Sequence, residues 1–269
     1  MSVLSQVNDL VAYLWGEAPP PPRPDGPASL TLSQVSKTFP GGTRALDGVD
    51  ISVSPGEFVT LVGPSGCGKS TVLRLISGLE KPTSGQVKLA PGNLGYVFQD
   101  PTLLPWRTVQ SNVEVLAELH GVEAGERRRQ ATEAIALAGL AGFERHHPKQ
   151  LSGGMRMRVS LARSLTLKPK IFLFDEPFGA LDEINRERLN DELQQLFIRE
   201  GFAGLFVTHS AAEAVFLSTR VLVMSPRPGR IVAEVPVPFE YPRRSSIRFE
   251  PAFGRIVGEI SANLREAAA

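Results

Sequence analysis

Gly63-Pro64-Ser65-Gly66-Cys67-Gly68-Lys69-Ser70 follows a short apolar run, Phe58-Val59-Thr60-Leu61-Val62, and leads into Thr71 to Leu79, which has helical character. The eight residues match G-x-x-x-x-G-K-[ST], and a strand before with a helix after is the setting that gives this pattern meaning. Glycines here let the backbone curl, so that successive N–H groups converge on one anion. The helix that follows adds the positive end of its dipole at the same point. Lys69 then reaches the β- and γ-phosphates of a nucleotide, and the Ser70 hydroxyl suits Mg²⁺. The stretch from Gly63 to Thr71 thus predicts a nucleoside-triphosphate site in an α/β fold.

Around it lie 269 residues, 42% hydrophobic and 21% charged, enough to bury a sizeable core. A net charge of +1 excludes a partner chosen by bulk charge, nucleic acid above all. Cys67 is the single cysteine, so no internal disulfide forms, which fits a reducing compartment. The most apolar region, Phe202 to Met224, is broken by His209, Glu213 and Arg220, and no run suits a membrane span. Met1 to Leu10 lacks the basic start of a secretory leader. An action at a membrane would therefore require a partner. Val3, Leu4, Val7, Leu10, Val11, Leu14 and Trp15 fall at helical spacing before a proline-rich linker, Pro19 to Pro27. Two readings fit that segment, a docking helix or a loosely packed extension.

Farther along, Leu30 to Val35 and Val49 to Val53 alternate like strands at a sheet edge. Leu116 to Leu140 has helical periodicity interrupted at Gly121, and Gly153 to Leu167 reads as another helix. Ile171 to Phe174 and Gly204 to Val207 are continuous apolar runs, the pattern of parallel strands covered on both faces. Ile231 to Val237 is β-like, and Phe253 to Leu264 is helical. Strands alternating with helices argue for an α/β core. The run Ile171-Phe172-Leu173-Phe174-Asp175-Glu176 delivers two acids at the carboxyl end of a strand, where such sheets hold their ligands. Asp175 is placed for the Mg²⁺ shell and Glu176 for a general base toward water.

Leu151-Ser152-Gly153-Gly154-Met155-Arg156-Met157-Arg158 narrows the class. It resembles the ABC signature, L-S-G-G-Q, and lies between the two nucleotide motifs. Ser152 is a good N-cap, and paired glycines leave helix N–H groups open to an anion. Further markers follow the family's order. Phe39 resembles the aromatic residue that stacks on adenine, though a strand-end core residue fits it equally. Gln99 looks like the Q-loop glutamine that senses Mg²⁺ and the attacking water. Gly179-Ala180-Leu181-Asp182 is similar to the D-loop, with glycine where serine is common. His209 looks like the switch histidine that meets the γ-phosphate. The likeness runs from about Ser29 to about Arg230 and points toward the ATPase subunits of nitrate, sulfonate, taurine and related importers. That last step rests on Leu103 to Val109, Leu151 to Arg158, Asp175 to Asp182, and Met224-Ser225-Pro226-Arg227-Pro228-Gly229-Arg230. Met157 departs from an expected glutamine.

The resemblance implies a P-loop NTPase (RecA-like) core, an antiparallel β edge subdomain and an inserted α-helical subdomain over about 100–165 that carries the signature. It divides the chain into an N-terminal segment (1–28), an ATPase domain (29–250) and a C-terminal helical tail (251–269). ATP and Mg²⁺ would be bound, the metal by Ser70, Gln99 and Asp175. Lys69, Gln99, Glu176 and His209 would serve hydrolysis. In a homodimer, Ser152, Gly153, Gly154 and Met155 would close over the nucleotide of the other copy. The implied partners are transmembrane permease subunits and, indirectly, a periplasmic or extracellular solute-binding protein, with the ATPase on the cytoplasmic face of the inner membrane. Leu103 to Trp106 would line the groove for a permease helix, or fill the joint between subdomains. Arg243 and Arg244 read as a solvated turn, or as a contact to headgroups or a partner.

Rival classes lack their marks. DNA-repair and chromosome-tethering ABC ATPases insert long coiled coils, whereas about fifty residues separate Gln99 from Ser152. Translation-associated members carry two cassettes, and an ATP-binding scaffold would be expected to lose Glu176 or His209. Exporters often fuse a membrane domain. The transported solute is not written in this chain.

Overall fold

The runs that read as strands build two sheets within residues 27–268, the part that the computed structural model describes. The amphipathic segment and linker expected over 1–28 lie outside the described residues, Pro27 and Ala28 excepted. In chain order the elements are β1 (Leu30–Thr38), β2 (Arg44–Val53), β3 (Phe58–Val62), α1 (Lys69–Ile76), β4 (Ser84–Leu89) and β5 (Leu94–Val97). There follow α2 (Val109–Leu119), α3 (Ala124–Leu137), α4 (Gly153–Leu165), β6 (Ile171–Asp175), α5 (Glu183–Glu200) and β7 (Ala203–Thr208). The chain ends with α6 (Ala211–Leu217), β8 (Arg220–Met224), β9 (Ile231–Pro236) and α7 (Pro251–Ala268).

An antiparallel sheet, β2-β1-β4, lies beside a larger one ordered β5-β6-β7-β3-β8-β9. In the larger sheet β5, β6, β7, β3 and β8 are parallel, and β9 closes the edge antiparallel to β8. The phosphate loop leaves β3 in mid-sheet, between β7 and β8. Helices α2, α3 and α4, inserted between β5 and β6, pack on one another and form the separate helical layer.

Period-two alternation sorts the strand residues into two cores. One face carries Phe58, Phe172, Phe174 and Phe206, together with Phe197 and Phe202. Their rings meet edge-on or offset, as Phe58–Phe197 at 5.2 Å and Phe172–Phe174 at 5.0 Å. The other face carries Leu61, Leu173, Leu205 and Leu222 beneath α1 and the small sheet. Glycine leaves room for the rings: a Cβ on Gly204 would lie 2.6 Å from Phe58 Cδ2. Phe58 is fully buried and cannot retreat. Gly204→Ala is therefore expected to destabilise by about 1–3 kcal/mol, lowering the thermal midpoint by about 2–10 °C in a scanning-calorimetry comparison with the parent.

Three sequence expectations change. The helical stretch expected over Leu116 to Leu140, with its interruption at Gly121, is two helices, and the first starts earlier, at Val109, where Thr108 accepts from Ser111 N. Gly121 (φ +72°) breaks them apart, and the Glu123 carboxylate caps the second. Helix α5, absent from the sequence reading, begins at an Asp182 cap and ends at Gly201 in the left-handed region. Arg243 is buried rather than solvated. Its guanidinium donates to the carbonyls of Val215, Phe216, Ser218 and Phe239, and lies 4.2 Å from the Tyr241 ring centroid. The final helix α7 packs on α6, β8 and β9, with Phe253 and Ile260 buried. Among the described residues no helix is long and apolar enough to cross a membrane.

Candidate functional site

The phosphate loop takes its shape from three glycines. Gly66 and Gly68 have φ of +75° and +117°, a region that L side chains avoid. A Cβ on Gly63 would lie 2.8 Å from Cys67 Sγ, so the loop closes only with glycine there. The same packing buries Cys67, and burial raises its thiol pKa. Beside the loop is a cavity of about 390 Å³, and Phe39, Ser65, Lys69, Gln99, Glu176 and Arg227 contribute to its wall. Gly66, Gly68, Ser70 and Thr71 line it as well. Strands β3, β5 and β6 bring these groups together from distant parts of the chain.

Lys69 is 5% exposed, and its ammonium donates to Gly63 O at 2.9 Å and Pro64 O at 3.2 Å. Glu176 Oε1 stands 3.7 Å from the same nitrogen. The other Glu176 oxygen meets His209 Nδ1 at 3.2 Å. Glu176 itself holds φ +45°, a costly conformation for a residue with a side chain, kept by its N–H bond to Val207 O. A Cβ on Gly179 would meet Glu176 Oε2 and His209 Cε1 only at ordinary contact distance, 3.7 Å, so the pair does not depend on glycine there. A carboxylate so placed can accept a proton from water, and a histidine beside it can orient a phosphate oxygen.

Ser70 Oγ donates to Asp175 Oδ1 at 2.9 Å, and Tyr96 OH reaches Asp175 Oδ2 at 3.5 Å. Burial pushes the Asp175 carboxyl above the usual carboxylate range and the Tyr96 phenol well above its own. The donors here are one carboxylate, one hydroxyl and, at the cavity wall, the Gln99 amide. Such an oxygen set fits Mg²⁺, which takes one or two carboxylates and completes its shell with water and substrate phosphates. Among the described residues no cluster of three or more His, Cys, Asp and Glu side chains is disposed to hold a metal unaided.

The Phe39 ring packs partly against the core and also lines the cavity. The signature residues are elsewhere. Ser152 caps α4 by accepting from Met155 N at 3.2 Å, and Ser152, Gly154 and Met155 line a second cavity of about 290 Å³ together with Asn185. Asp182 caps α5 and accepts from Asn185. Neither Ser152 nor Asp182 borders the cavity of its own phosphate loop.

Two arginines went unassigned in the sequence. Arg227 lines the cavity beside the phosphate loop, and its only signal was a proline-flanked stretch after β8. Arg163, on α4, is buried, and its guanidinium donates to Pro101 O (3.0 Å), Thr102 O (3.1 Å) and Thr102 Oγ1 (3.1 Å). Asn112, fully buried on α2, grips the adjoining turn through Leu104 N, Leu104 O, Arg107 O and Thr108 O. The segment after Gln99 is thus tied to the helical layer, with Trp106 left 72% exposed.

Known proteins resemble this chain in sequence and in fold. The sequence pattern of the ABC transporter family matches residues 46–179. An uncharacterised ABC transporter ATP-binding protein of Methanocaldococcus jannaschii is 49% identical over 231 residues, covering 82% of this chain and 86% of the relative. An aliphatic sulfonates import ATP-binding protein of Pseudomonas savastanoi pv. phaseolicola is 42% identical over 90% of this chain and 98% of its own. A dimeric ATP-binding cassette solved in a post-hydrolysis state with ADP and phosphate superposes with a TM-score of 0.68. It is 33% identical to this chain, covering 78% of it and all of the solved chain.

Proposed function

The chain belongs to the ABC transporter family of ATP-hydrolysing cassettes, and from that premise we propose that it powers import of a small sulfonate- or taurine-type solute through separate transmembrane subunits. The observation that carries the ATPase part is one cavity wall shared by Phe39, Lys69, Ser70, Gln99 and Glu176. The import part draws on the relative named for sulfonate import, similar over 90% of this chain.

In this reading the phosphates lie on the backbone N–H groups of Gly63 to Thr71, and Lys69 leaves its carbonyl partners for the β- and γ-oxygens. Ser70, Gln99 and Asp175 would hold Mg²⁺, which when bound would neutralise charge on the phosphates. Glu176 accepts the proton of the attacking water, and His209 steadies both that carboxylate and the γ-phosphate. Phosphoryl transfer needs positioning and charge neutralisation more than covalent help. The second copy supplies Ser152, Gly153, Gly154 and Met155 across the interface, with Asp182 nearby. ATP then favours the closed dimer, and hydrolysis releases it.

The division of labour follows the proposed boundaries: 29–250 as the ATPase domain, about 100–165 as the helical subdomain, 251–269 as the C-terminal helical tail. The working place is the cytoplasmic face of the membrane, beneath permease subunits, with a solute-binding protein acting from the other side. Leu103 to Trp106 form the handle for the permease. Arg163→Met, which keeps the volume and loses the donors, is expected to lower permease-stimulated hydrolysis about 2- to 30-fold, and basal hydrolysis less. Reconstitution in liposomes with the neighbouring permease and binding protein tests the whole reading. Hydrolysis stimulated by a sulfonate with inward accumulation is expected; outward movement, or stimulation only by unrelated solutes, would sink it.

A further inference from the structure

The segment after β8, Ser225-Pro226-Arg227-Pro228-Gly229-Arg230, lies directly against the phosphate loop. Gly229 N donates to Ala45 O at 2.9 Å, and Asp47 N donates back to Gly229 O at 3.1 Å. Arg230 Nε holds the Asp47 carboxylate at 2.7 Å. A Cβ on Gly229 would fall 2.3 Å from Cys67 O and 2.1 Å from Met224 Cε, so only glycine permits this approach. The segment is fastened on one side to β2 and on the other to the phosphate loop.

That anchorage places Arg227. Its Nη2 and Nε donate to Gly66 O at 2.9 and 3.2 Å, and the side chain lines the same cavity as Phe39, Ser65 and Lys69. Gly66 sits at the tip of the loop whose backbone is shaped for phosphate. The charges around the cavity are unequal in their freedom. Lys69 already faces Glu176 at 3.7 Å. Among the described residues no carboxylate lies within ion-pair distance of Arg227. A guanidinium has five N–H donors in a planar fork, and one carbonyl cannot occupy them all. A cation braced in this way loses little rotamer freedom when an anion arrives.

We infer that Arg227 is a further nucleotide-binding residue, whose guanidinium, steadied on the Gly66 carbonyl, takes an oxygen of the ATP phosphate chain. This rests on the ATP-binding reading of the cavity and adds a second cation beside Lys69. Arg227 sets how tightly the phosphates are held and leaves the hydrolytic step to Glu176 and its neighbours.

The test compares Arg227→Ala, Arg227→Gln and Arg227→Lys with the parent protein by isothermal titration with Mg-ATP, by steady-state hydrolysis and by ligand-free melting. Ala and Gln are expected to weaken ATP binding about tenfold, the scale of one lost charge-assisted hydrogen bond. KM should rise by a like factor with kcat at saturation unchanged, and Lys should restore most of the affinity. Ligand-free melting midpoints should match the parent. Gln behaving as the parent while Ala binds weakly would assign only the bracing of Gly66, and overturn the phosphate contact. Parent-like binding in all three variants would overturn it as well, as would equal weakening in all three with lowered midpoints, the mark of a staple. A parent protein that fails to bind ATP would instead remove the reading on which the inference stands.

Discussion

Glu176→Gln binds ATP at least as tightly as the parent and hydrolyses it about 10²–10⁴-fold more slowly, the range a positioned general base contributes. Glutamine keeps the shape and one acceptor oxygen, so contacts to Lys69 and His209 persist in weakened form. What it loses is the ability to take a proton from water. The parent carboxylate also faces the cavity that receives the triphosphate, with its oxygens 3.7 Å from Lys69 Nζ and 3.2 Å from His209 Nδ1. Removing its charge relieves repulsion with the γ-phosphate and weakens the hold on Lys69. ATP that cannot be cleaved then keeps the two copies together. Size-exclusion chromatography with light scattering should show a dimer with ATP, and a monomer with ADP or without nucleotide. Parent-rate hydrolysis by a variant that stays monomeric with ATP would refute both the base and the sandwich.

Lys69→Ala should lose nucleotide rather than only turnover. The ammonium is 5% exposed and donates to two backbone carbonyls of its own loop. The loss falls on the ligand. A charge-assisted contact of about 1.5–3 kcal/mol corresponds to about 10–150-fold weaker ATP binding. Hydrolysis should drop further, because Glu176 then faces the phosphates without the Lys69 charge that stood 3.7 Å from it. Lys69→Arg should not rescue, since a forked planar group does not replace a compact point charge at the base of a closed loop. Titration with a fluorescent ATP analogue, alongside an unchanged circular dichroism spectrum, measures this. Affinity within twofold of the parent would remove Lys69 from the phosphate site.

The sequence was informative where chemistry is local. Gly63, Gly66 and Gly68 impose a loop geometry that needs no partner from elsewhere. The apolar runs before Gly63 and Asp175 are strands because continuous Val, Leu and Phe suit a sheet covered on both sides. The α/β class and the helical insertion followed from such segments and from the family likeness. Helix α5 escaped notice although its signals were present: Asp182 stands at its start and Gly201 at its end. Its polar residues outnumber the apolar ones, so periodicity was weak. The solvated reading of Arg243 failed for another reason. Carbonyls left over at the end of α6 accept its donors, and composition near residue 243 says nothing of them.

The sequence by itself determined the phosphate loop, the acidic strand end and the order of the motifs, because each depends on neighbouring residues and their backbone preferences. Only the tertiary structure decided which distant groups share a wall. Ser70 meets Asp175 across 105 residues, His209 meets Glu176 across 33, and Arg227 meets Gly66 across 161. The strand order β5-β6-β7-β3-β8 differs from the chain order, and it arises from burial of whole faces, which spacing along the chain does not encode. The tertiary structure also separates Ser152 from the cavity of its own phosphate loop. α4 belongs to the helical layer and β3 to the sheet, and packing holds the two apart.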